Sequence, residues 1–61
     1  MKTVLDVLHD ELKDAIESRT IALAQGQVND YADYRQLVGV ITGLTSALER
    51  VKDLRKYEDE D

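Results

Sequence analysis

From Tyr34 to Leu54 an apolar residue returns on every helical turn, and the band these residues form is the feature that most limits the fold. At 100° per residue, Tyr34, Leu37, Val38, Val40, Ile41, Leu44, Ala47, Leu48, Val51 and Leu54 spread over about 200° of a helix circumference. One neighbouring helix cannot cover so wide a band. The preceding stretch is narrower: Val4, Leu5, Leu8, Leu12, Ala15, Ile16, Ala22 and Leu23 gather within about a third of a turn, which one neighbour covers.

Local signals divide the two stretches. Thr3 followed by Asp6 forms a carboxylate variant of the capping box, and Gly26 is placed to end the first helix in a left-handed cap. Asn29 or Asp30 caps the second helix, with Asp33 favourable in its first turn. The chain is therefore expected to be all-α, a single antiparallel two-helix hairpin over about 3–25 and 30–57, with the acidic residues 58–61 frayed. For a turn near residues 27 and 28, positions summing to about 55 are expected to face one another.

A 61-residue chain buries only about 60% of its unfolded surface, so its core needs a supplement. Cysteine is absent and a single histidine is present, which disfavours a disulfide or a structural zinc site. Self-association is the remaining common supplement, and the hairpin is expected to dimerise into a four-helix bundle with the second helices central. A higher oligomer or docking on another protein would serve the same need.

Gly39, Gly43 and Ala47 fall on one four-residue ridge inside "LVGVITGLTSAL". Glycine in a helix interior costs roughly 1 kcal/mol against alanine, so the ridge is expected to serve close helix approach, with Leu12 and Ala15 of the first helix received against it. Tyr31, Tyr34, Val38 and Ile41 are expected to hold the partner interface, because tyrosine suits a surface with one wet edge. The alternative is that the two rings cap the hairpin turn.

Chemistry finds little footing. "DVLH" places Asp6 one turn before His9, a partial likeness to the Glu-x-x-His element of di-iron bundles, but Asp10, Glu11, Asp14 and Glu17 project mostly away from the apolar face. Ser18, Ser46 and the threonines lack a second histidine as base. No catalytic residue, metal site or cofactor is expected. The net charge of −5 disfavours nucleic acid and anionic membranes, although Arg50, Lys52, Arg55 and Lys56 form a local basic cluster. No apolar run approaches the roughly 20 residues of a membrane span, and no signal peptide is read at the N-terminus.

The segment "DYADYRQLVGVITGL", continuing through "ALERVKDL", resembles short helical proteins encoded by tailed bacteriophages, which often carry an acidic end after the second helix. The resemblance covers about half the chain and implies a phage origin, with residence in the virion or the host cytoplasm, and no catalytic motif. The expected role is a non-enzymatic structural or assembly protein acting by self-association and contact with another protein, of the virion or the host. The rivals are a regulator that inhibits a host protein and, behind it, a Rop-like nucleic-acid-binding helical dimer.

Overall fold

The computed structural model describes residues 2–59. It is a helical hairpin: α1, Val4–Ala24, and α2, Tyr31–Asp59. Each boundary has a local cause. Thr3 accepts a hydrogen bond from the Asp6 amide at 3.2 Å, and Asp6 accepts one from the Thr3 amide at 3.1 Å, closing the reciprocal box. At the other end Gly26 takes φ +71°, the left-handed conformation in which glycine pays no Cβ penalty. The Gln27 amide then reaches Ala22 O and the Gly26 amide Leu23 O, a Schellman closure of α1. Asp30 starts α2 by accepting from the Asp33 amide at 2.8 Å.

Helix α2 runs two residues past the expected end. Glu58 and Asp59 are helical, and the Thr3 hydroxyl donates to the Glu58 carboxylate at 3.3 Å across the open end of the hairpin. The rest of the expected frayed tail, residues 60 and 61, lies outside the described residues.

The half-buried and buried positions define the seam between the helices. On α1 the half-buried Leu5, His9, Leu12, Ile16 and Leu23, with the exposed Arg19 completing the repeat, and on α2 Leu37, Ile41, Leu44, Leu48, Val51 and Arg55 advance in steps of three and four, the repeat that keeps one stripe of a helix facing a neighbour. Asp6, Asp10, Ala15, Ala22 and Val38 are half-buried at its edges. Val51, 5% exposed, is the one buried residue among those described. The molecule is a thin rod, 49 × 18 × 13 Å between Cα extremes. Its radius of gyration of 14.3 Å exceeds the roughly 10.5 Å of a compact chain of this length.

The register departs from expectation. Asp6 pairs with Arg55 and Thr3 with Glu58, so facing positions sum to 61, not 55. The connection explains the shift of six residues. It does not turn tightly at 27 and 28 but climbs past the first turns of α2, where Val28 shares a groove with Leu37 and Val40. Helix α1 therefore ends level with the second turn of α2. Tyr31 and Tyr34 stand beyond the end of α1, and their exposure follows.

Two of the three glycines should respond oppositely to alanine. Gly26→Ala meets the left-handed penalty and should lose about 1–2 kcal/mol. Gly39→Ala meets no atom within 4 Å and should gain roughly 1 kcal/mol from helix propensity. Urea unfolding followed by circular dichroism measures both signs.

Candidate interaction surface

The glycine ridge does not receive α1. A Cβ built on Gly39 or Gly43 would find nothing within 4 Å, and both, with Ala47, are exposed. The close packing expected between this ridge and Leu12 and Ala15 is thus absent within the chain. Leu12 and Ala15 are half-buried on α1, but they do not meet the glycines. The reason is rotational. The larger aliphatics Leu37, Ile41, Leu44, Leu48 and Val51 take the seam, and on the 100° projection this turns Gly39 and Gly43 about 160° and 120° away from α1.

What the seam leaves uncovered is ordered. One residue before each seam position of α1 runs the row 4, 8, 11, 15, 18, 22, with Val4, Leu8, Ala15 and Ala22 in it. One residue before each seam position of α2 runs 36, 40, 43, 47, 50, 54, with Val40, Gly43, Ala47 and Leu54. In an antiparallel helix pair, positions with equal offset from the seam flank the same side. Both rows therefore lie on one broad face of the hairpin. Only Glu11 and Arg50 are charged among these twelve positions.

The opposite face differs sharply in chemistry. The rows one residue after the seam hold Asp6, Asp10, Lys13, Glu17, Glu49, Lys52 and Lys56 among twelve positions, with Thr20, Thr42 and Thr45 beside them. These three hydroxyls donate back to the carbonyls of Ile16, Val38 and Ile41, as threonine does on a helix surface. One side of the hairpin is built for water and the other is not. Val4 is 83% exposed and Leu54 42% on the apolar side.

The tyrosines sit elsewhere. Tyr31 and Tyr34 stack with ring centroids 6.1 Å apart beyond the end of α1, with Tyr31 72% exposed. Val38 and Ile41 are half-buried along α2, so the four residues form no continuous open patch. Tyr57 extends the apolar rows at the open end, and it is 74% exposed; its place in the repeat after Leu54 was the available signal for it. Val4 and Leu8, expected in the stripe that one neighbour covers, are exposed, and Val40 and Leu54 are the exposed part of the band too wide for one neighbour.

The four basic residues do not converge. They spread over about two-thirds of the circumference of α2 on the same projection. Arg55 lies in the seam, 3.0 Å from Asp6, and Lys52 approaches Glu49 at 3.9 Å. Arg50 lies on the apolar face and Lys56 on the charged one. Arg19 bends back to Ala15 O at 3.5 Å.

Polar side chains gather instead at the start of α1. Lys2 Nζ is 2.6 Å from Asp10 Oδ2, and His9 Nδ1 lies 3.2 Å from Asp10 Oδ1. Asp10 is held below its ordinary value first by the Lys2 hydrogen bond and then by that of His9, while Lys2 is raised by the same Asp10 contact. Asp6 is lowered chiefly by the Thr3 amide and less by the Arg55 guanidinium, against an opposing desolvation. Among the described residues no group of three His, Asp or Glu side chains is placed to hold a metal ion. No described helix is long and apolar enough to cross a membrane.

No protein-family model, curated protein or solved structure matches this chain.

The depressed carboxylates fix the sign of a pH effect. A carboxylate with a lowered folded pKa contributes stability above its unfolded value, near 3.9, and loses it as the pH falls through the folded value. Asp6→Asn should therefore melt below the parent between pH 5 and 8, with the gap closing as the pH drops under about 4. Thermal melts across pH, followed by circular dichroism, measure this gap.

Proposed function

We propose that this protein is a non-enzymatic structural or assembly component that works by self-association and contact with another protein. One observation carries the proposal: a hairpin with a single buried residue among those described keeps Val4, Leu8, Val40 and Leu54 exposed in rows beside its seam. Singly scattered apolar residues on a surface mean little, whereas a contiguous patch marks an interaction site. Here the exposed residues follow the helical repeat along both arms. Gly43 supports the same reading: it lies in the α2 row and a Cβ there would meet no atom of its own chain within 4 Å, leaving room for an approaching helix.

The likeness of "DYADYRQLVGVITGL" to small helical proteins of tailed phages supplies the setting, a phage particle or its assembly. Mass spectrometry of purified particles from the phage encoding the chain tests it. Recovery in stoichiometric copies is the expected result. Absence from particles, together with specific recovery of a host protein on affinity capture, would replace assembly by host-directed regulation.

A further inference from the structure

We infer that the apolar face is covered by a second copy of the chain, packed with its turn at the opposite end, so that α2 lies antiparallel on α2 with Ala47 at the two-fold axis. The inference deepens the proposed self-association and rests on it.

Three observations select this occupant and this orientation. The first is size. The chain exposes 4868 Å², and the ~800 Å² per partner that a standard stable interface buries is about a sixth of it, an area that one broad side of a 49 × 18 × 13 Å rod can supply. A second hairpin fits it edge to edge. The second is symmetry. An isologous contact requires each row to complement its own reverse. About Ala47 the α2 row does so to within one residue, since Val40 and Leu54 stand seven residues to either side, and Gly43 reflects to residue 51, beside Arg50. The α1 row has its midpoint at residue 13, and the observed register sets Ala47 level with residue 14. One axis therefore serves both rows.

The third observation is the distribution of bulk. On α1 the larger side chains, Val4 and Leu8, occupy one end of the row, and the small Ser18 and Ala22 the other. Opposed turns set large against small, the condition for interdigitation at interior density. With both turns at one end, α1 would instead lie on the partner's α2, setting Leu8 against Leu54 at the open end and alanine against alanine near Ala15, whereas opposed turns place one Val40–Leu54 pair on each side of the axis. The role of Gly43 becomes concrete. It leaves room for the partner's Arg50, whose apolar stem can cross the helix there while its guanidinium reaches water.

Single-cysteine crosslinking tests the arrangement in a chain that has no cysteine of its own. Ala47→Cys places two sulfurs at the axis, where close helix approach brings the Cα atoms within the 4.4–6.8 Å of a disulfide. Mild oxidation should convert most of the protein to a linked dimer, whereas Thr45→Cys on the charged face should stay unlinked. Gly43→Leu, which meets open space in its own hairpin, should keep its helicity and weaken association at least tenfold by sedimentation. A dimeric mass in which Ala47→Cys does not link, or in which Thr45→Cys links instead, would overturn this face and orientation while leaving self-association standing. A monomeric mass at every concentration up to the millimolar range would sink both.

Discussion

Two helices laid side by side can bury only the stripe on which they meet, and the rest of this structure depends on that limit. Here the stripe steps by three and four residues, and among the described residues it buries only Val51, which is 5% exposed. The ends are tied by polar contacts: the Thr3 box, the Asp6–Arg55 pair and the Thr3–Glu58 bond. Such exposed contacts contribute little individually. They set the register more than they hold the helices together.

The second apolar row follows from the same limit. A chain of this size has no disulfide with which to supplement a thin seam, so its apolar residues exceed what one intramolecular contact can cover. Val4, Leu8, Val40 and Leu54 lie on one broad side, whereas Val7 and Ile21 are exposed on the outer side of α1. The other broad side carries charges and threonines. Gly43 and Ala47 lower the profile of the open face at its centre, where a neighbouring helix can come nearest.

What the sequence revealed was local. Thr3 with Asp6, Gly26 and Asp30 each act within a turn of their own position, and all three caps form as their residue types dictate. The width of the α2 band correctly announced more apolar surface than one neighbour could hide. Its division did not show, because two seams one residue apart merge into one arc on a projection. Placing the larger aliphatics toward α1 and the glycines outward is a packing choice between those seams. The register was equally hidden, since it depends on the path of residues 25–30 past the start of α2, and this in turn displaced the tyrosines beyond α1.

The proposed self-association would link association to folding. A hairpin whose second face is closed by another copy gains stability by mass action, and its melting temperature depends on protein concentration. Thermal unfolding followed by circular dichroism over a hundredfold range of concentration, from micromolar upward, is the most direct measurement. A cooperative transition whose midpoint rises steadily with concentration is the predicted result. A midpoint that stays fixed across that range, with the transition still cooperative, would show that the hairpin stands without a second copy and would contradict it.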